Sequence, residues 1–224
     1  EPFLMFETTA NKNLPLAYTQ NNLKVSTSNL CTEIFLFTDP DHTFCCLLSS
    51  LNLSKWDEIK NSDCIETAIW FLEGVMESFI QKAKNLWGYE KAVRSAIKGR
   101  ALGLGVLGFH TLLQSKNISW GSFDCMMLST EIGKIMKERA EKASEDIAKE
   151  YGEPEWCQGT KRRHSHLLAC APTVSNAMIS GTCLSQSIEP YVANIFVHNT
   201  AKGSFIRKNP FLEKILQSLG KDTF

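Results

Sequence analysis

Two stretches of the chain repeat apolar residues at helical spacing. Ile65, Ile69, Leu72, Val75, Met76, Phe79 and Ile80 form one stripe, and Leu128, Ile132, Ile135, Met136, Ala140, Ala143 and Ile147 form the other. Intervals of three and four residues keep each set on one face of an α-helix, so both predict amphipathic helices whose apolar faces are core. Shorter apolar runs read as strands: a buried one over Pro2 to Phe6, another over Ile34 to Thr38, and a third over Phe44 to Leu53 that carries the vicinal pair Cys45-Cys46. Asn11 to Ser28 reads as an irregular polar connection into a tip at Asn29 to Glu33. Asp39-Pro40-Asp41-His42 reads as a turn, and Asn209 to Leu219 as a further helix. Strands alternating with amphipathic helices predict an α/β fold with a covered sheet. With no repeat, low-complexity tract or interdomain linker, residues 1–224 read as a single piece.

Composition narrows the class of partner. Twenty-four basic and 24 acidic residues cancel, which argues against a nucleic-acid or other extended polyanion surface and makes any phosphate recognition local. Eight cysteines without secretory signal or disulfide-scaffold spacing point to a reducing, cytoplasmic compartment. No apolar run approaches the roughly 20 residues that cross a bilayer. The chain opens at Glu1-Pro2 without Met and closes just after the last predicted helix, so both ends read as cut from a longer polypeptide.

Three patterns invite a chemical reading. Gly103-Leu104-Gly105-Val106-Leu107-Gly108 fits the glycine spacing of dinucleotide-binding loops, but that motif needs a preceding buried strand. Ala96-Ile97-Lys98-Gly99-Arg100 is too polar to be one, so close backbone packing is the expected role. Cys157, His164, His166 and Cys170 lack the closely spaced ligand pairs of structural zinc sites, and Lys161-Arg162-Arg163 reads as a solvated loop. Pro172-Thr173-Val174-Ser175-Asn176 predicts a sharp turn into a hydroxyl-capped helix, whose free N–H groups can bind an anion without net positive charge.

The most informative stretch is Ser28-Asn29-Leu30-Cys31-Thr32-Glu33. If extended, it places the amide of Asn29, the thiol of Cys31 and the carboxyl of Glu33 on one face, where they converge on a small ligand. A lone cysteine in such a place is commonly a packed small hydrophobe. Cys45-Cys46 and the Pro172 loop supply what would make it chemical: a second redox thiol and an anion site.

Ser28 to Ile34, Phe44 to Leu53, Arg100 to Phe109, and Pro172 to Phe196 with Ser187-Ile188-Glu189-Pro190-Tyr191 inside it, stand in the order found in the large catalytic subunit of ribonucleotide reductase. The chain resembles that family over most of its length. The resemblance implies an α/β fold that is roughly the second half of a ten-stranded barrel with a central finger loop carrying the active cysteine. It implies that Cys31 is the thiyl radical that abstracts the C3′ hydrogen of a ribonucleotide, Glu33 the general base on the 3′ hydroxyl, and Asn29 a hydrogen-bonding anchor. It makes Cys46 one of two thiols that become a disulfide, leaves Cys45 to packing, and makes Ser28, Pro172, Thr173, Val174, Ser175 and Asn176 substrate-binding. The expected substrate is a ribonucleoside diphosphate. No metal or cobalamin is expected on this chain; the radical comes from a metal-containing small subunit, and a thioredoxin- or glutaredoxin-type dithiol reduces the disulfide. The resemblance also implies a homodimer of large subunits, and places a second redox cysteine in an upstream half that this chain lacks, on the same or a separate polypeptide. The relay tyrosines and tail cysteines belong downstream. A split or degenerate relative acting only as a structural or nucleotide-binding partner is the alternative, and a zinc-stabilised module a weaker one.

Overall fold

The computed structural model describes residues 4–180, 184–200 and 203–221. Two short helices, α1 (Glu7–Ala10) and α2 (Leu16–Thr19), precede the Asn29 to Glu33 loop. Strand β1 (Leu47–Asn52) leads through a 3-10 turn (Leu53–Lys55) into α3 (Trp56–Ile59), α4 (Cys64–Ala83) and α5 (Glu90–Gly99). Strand β2 (Leu102–Leu107) is followed by α6 (Phe109–Ser115), α7 (Phe123–Tyr151), a second 3-10 turn (Glu155–Cys157) and α8 (Val174–Ile179). The hairpin β3 (Ile195–Thr200) and β4 (Gly203–Lys208), then α9 (Pro210–Ser218), complete the order.

The two predicted amphipathic helices are α4 and α7, and they pack on each other. Helix α7 starts where the Ser122 hydroxyl accepts the Cys125 N–H at 3.2 Å, and ends at Gly152, whose φ of 82° suits a residue without a Cβ. Ile65, Ile69, Leu72 and Met76 of α4 meet Ile132, Met136, Ala140 and Ile147 of α7 in the main core. Burying each such side chain fully is worth about 1.5–3 kcal/mol, enough to hold helices of modest intrinsic propensity.

β1 and β2 pair in parallel, Leu47 opposite Leu102 through Asn52 opposite Leu107, with α3 to α5 as the crossover. The other edge of β2 carries residues 166–169. Leu102 N–H donates to His166 O at 3.0 Å, Leu104 N–H to Leu167 O at 2.8 Å, and Ala169 N–H to Leu104 O at 3.2 Å. With neighbours on both sides, all six residues of β2 are buried, as expected for a central parallel strand. Leu102, Leu104 and Val106 enter the main core, which puts Gly103 and Gly105 on the opposite face. There a second cluster forms around Tyr18, Val25, Ile34, Leu36, Trp156, Cys157 and Ala169.

The glycine-rich run is therefore strand, not a phosphate loop, and α5 rather than a strand precedes it. A Cβ on Gly105 would lie 2.2 Å from the Ala169 carbonyl oxygen, so the close backbone packing expected of these glycines is observed.

Several expected elements differ. Residues 4–6 are exposed and not a strand, and residues 2–3 lie outside the described residues. Asn11 to Ser28 is not wholly irregular: α2 interrupts it, and it sends Tyr18 and Val25 into the core. Ile34 to Thr38 buries Ile34 and Leu36 but is not a strand, having no ladder partner among the described residues. The Phe44 to Leu53 strand is shorter, beginning at Leu47. Asp39 to His42 is a turn, as predicted, closed by N–H to O bonds in both directions.

A buried ionic cluster ties these parts together. Glu73 of α4 accepts from Arg100 at 2.8 Å, from Arg163 at 3.0 Å and from His164 at 3.0 Å. The Ser144 hydroxyl of α7 lies 2.8 Å from His164 Nδ1. The Lys161 to Arg163 run is thus not simply solvated, since Arg162 also pairs with Glu141. Long-range partners of this kind leave no local sequence signal.

Candidate active site

The Ser28 to Glu33 segment is a tight turn instead of the extended strip that alternation suggested. Asn29 closes its base: its N–H donates to Ile34 O at 3.3 Å, its Oδ1 accepts from Ile34 N–H at 3.3 Å, and its carbonyl accepts from Thr32 N–H at 3.1 Å. Thr32 takes a left-handed φ of 63°, which breaks the period of two. Ser28 Oγ donates to the Asn29 carbonyl at 3.0 Å. Cys31 is exposed at the tip beside an exposed Leu30. Asn29 thus anchors the turn that presents the thiol.

Glu33 turns inward. Its Oε2 is buried and has no hydrogen-bond partner. An unpartnered buried carboxylate oxygen is costly, and such atoms recur where a ligand or proton is to be handled. Cys46, just before β1, is half-buried. Its thiol is pushed up to about 12, chiefly by burial, then by neighbouring Cys45 and by the negative charge of Glu33. The structure therefore brings Glu33 and Cys46 into one electrostatic neighbourhood, with Cys31 two residues away on the same turn.

The Pro172 loop follows the 166–169 segment towards the C-terminal end of β2. There Gly108 N–H donates to Ser185 O at 2.8 Å and Phe109 N–H to Ser187 O at 3.3 Å. Thr173 stands at the N-cap of α8 with φ of 52°, but its hydroxyl accepts Ser187 N–H at 2.8 Å and does not cap the helix. This corrects the hydroxyl-capped start: the leading N–H groups of α8, at exposed Val174, Ser175 and Asn176, keep no acceptor within the helix. No hydrogen bond among the described residues joins this loop directly to the Ser28–Glu33 turn or to Cys46.

Of the four residues with zinc-ligand chemistry, His164 is committed to Glu73 and Ser144, and the His166 ring packs edge-on against Tyr18 at 4.8 Å. Among the described residues, no group of three or more His, Cys, Asp or Glu side chains is arranged to hold a metal ion. The seven described cysteines are all free. Among the described residues no helix is long and apolar enough to cross a membrane.

A parallel α/β scaffold that presents one thiol on a turn, holds a second at a strand mouth, and leaves a buried carboxylate unpartnered beside it is a framework for thiol chemistry. The sequence profile of the ribonucleotide reductase barrel domain matches residues 1–162 and 157–223. The chain is 39% identical over 224 residues to a putative ribonucleoside-diphosphate reductase large subunit of Frog virus 3 (isolate Goorha), covering 100% of this chain and 39% of that protein. It is 35% identical over 218 residues to the ribonucleoside-diphosphate reductase large subunit of Invertebrate iridescent virus 3, covering 97% of this chain and 34% of that one. Its structure superposes on the class Id ribonucleotide reductase alpha subunit of Actinobacillus ureae with a TM-score of 0.91 and 43% identity, over 100% of this chain and 41% of the other. The chain belongs to the ribonucleotide reductase barrel-domain family, and its fold is part of that α/β barrel. It spans between about a third and two-fifths of the length of these relatives.

Proposed function

We propose that this chain is a single piece of the catalytic barrel of a ribonucleoside-diphosphate reductase, which reduces ribonucleotides to 2′-deoxyribonucleotides. The observation that carries the reading is the buried, unpartnered Glu33 Oε2 beside the Cys46 thiol, on the turn that exposes Cys31.

In this reading the Cys31 thiyl radical takes the hydrogen atom from C3′ of the ribose, giving Cys31 thiol and a C3′ radical. Glu33 accepts the 3′-hydroxyl proton as general base, to be returned to the 3′ oxygen later, while the 2′-hydroxyl takes a proton from one of two redox thiols and leaves as water. Those two thiols, Cys46 and one from the upstream part of the barrel, give two electrons in all and become a disulfide; the second thiol hydrogen goes to C2′, and Glu33 returns its proton to the 3′ oxygen. Cys31 then returns a hydrogen atom to C3′ and is a thiyl radical again. A thiol held protonated, as burial holds Cys46, suits delivery of hydrogen together with the electrons. Asn29 anchors the turn, with Ser28 bonded to its carbonyl. The leading N–H groups of the Pro172 loop, over Thr173, Val174, Ser175 and Asn176, receive the diphosphate.

The radical source is a metal-containing small subunit, and the disulfide is reduced by an external thioredoxin- or glutaredoxin-type dithiol. The assembly is a cytoplasmic homodimer of large subunits, each completed by its upstream part. The test is deoxyribonucleotide formation by the assembled enzyme carrying Cys31→Ala. Loss of product with an unchanged fold supports catalysis; an unchanged rate would assign the chain a structural or nucleotide-binding role instead.

A further inference from the structure

We propose that Gly103 is a positioning residue for Cys46: because it carries no side chain, the Cys46 sulfur and the Leu48 end close against the strand backbone. A Cβ built on Gly103 would stand 2.4 Å from Leu48 Cδ2, 3.0 Å from Ala169 Cβ and 3.3 Å from Cys46 Sγ. Strands β1 and β2 and the 166–169 segment converge on this point. Leu48 is the residue opposite Gly103 in the β1–β2 register, Cys46 precedes it by two and shares its face, and Ala169 approaches from the far side of β2.

Gly103 and Gly105 are not equivalent. Gly105 meets a backbone carbonyl that cannot withdraw, so its lack of a side chain serves the fold. Gly103 meets only side chains, among them one flexible leucine end and one sulfur. The φ of Gly103 is outside the left-handed region, so its backbone conformation is open to any residue and the requirement is for space. A methyl group there drives the Leu48 end aside and presses on the sulfur, which must yield by a few tenths of an ångström towards the open side of the face. Leu48 itself is partly exposed and has somewhere to go. Cys46, half-buried against the second cluster, has less room to yield.

The consequence for turnover rests on the reading of Cys46 as a redox thiol, but the packing does not. The test is therefore made on the thiol itself. The folded chain is treated with iodoacetamide at pH 8, and alkylation of Cys46 and of Cys170 is followed separately by peptide fragmentation. Gly103→Ala is expected to raise the Cys46 rate roughly threefold or more through exposure and a larger thiolate fraction, leaving Cys170 unchanged. If Gly103→Ala fails to fold, the pair Leu48→Ala and Leu48→Ala/Gly103→Ala removes the hardest collision and isolates the effect on sulfur. Equal Cys46 rates within either folded pair would overturn the proposal and leave Gly103 as ordinary packing. Loss of reductase activity in Cys31→Ala reports on the function reading alone, so failure of one is distinguishable from failure of the other.

Discussion

At Cys46, burial, the neighbouring Cys45 and the Glu33 carboxylate all favour the protonated thiol. With a value pushed up to about 12 against an ordinary 9.0, its thiolate fraction at pH 8 is on the order of 10³-fold smaller than that of a free thiol. Cys46 is therefore expected to alkylate far more slowly than a small-molecule thiol at pH 8, and to speed up about tenfold per pH unit up to pH 11; a plateau near pH 9 would contradict this. The identities of Cys31, Glu33, Asn29 and Cys46 as candidates were legible from residue type and motif order. Their arrangement was not, because one left-handed residue, Thr32, replaces an alternating strip by a turn. Gly103 was legible only as a glycine, since what it makes room for depends on the β1–β2 register.

Among the elements, α4, α7 and α9 were readable because their apolar stripes and caps are local; Asn209, for instance, caps α9 by accepting Phe211 N–H at 3.1 Å. The strands were harder, as burial of a parallel strand depends on what covers it. The Glu73 cluster, built from residues up to 91 positions apart, was invisible. Burial alone would raise the Glu73 carboxyl, but hydrogen bonds from His164 and Arg100 outweigh it and lower the value from 4.5 to about 2. A depressed carboxylate stabilises the fold above its unfolded value and loses that contribution as pH falls from about 4.5 towards 2, an effect of roughly 3 kcal/mol. Burial also lowers His164, so protonation of the unfolded chain removes further stability in acid. Urea titrations from pH 6 to pH 2.5 are expected to show this loss, and Glu73→Leu, which takes the shared carboxylate from Arg100 and Arg163 but leaves Glu77 to the first and the Tyr151 and Gly152 carbonyls to the second, to cost about 3 kcal/mol at pH 7. Gly105→Ala forces the 166–169 segment from β2 and is expected to lower the thermal midpoint sharply; a shift under about 2 °C would contradict the contact seen at Ala169.

For the molecule as a whole, the Ile34 to Thr38 segment is where the proposed reading can be tested without turnover. It buries Ile34 and Leu36 like a strand, yet the amides of Phe35, Leu36 and Thr38 donate no hydrogen bond among the described residues. In the proposed assembly the upstream part of the barrel pairs with this edge. Hydrogen exchange at these three amides is then expected to slow on adding that part, and unchanged exchange would place the partner elsewhere. The α/β class was readable from helix and strand alternation, whereas an upstream part to pair with this edge was implied only by the family resemblance. The central claim is that Cys31 carries the chemistry. Its most direct test is the rate of deoxyribonucleotide formation from a ribonucleoside diphosphate by the completed large subunit, its radical-generating partner and a dithiol reductant, with Cys31 intact and with Cys31→Ala. The account predicts product with the first and none above background with the second; equal rates from the two would contradict it.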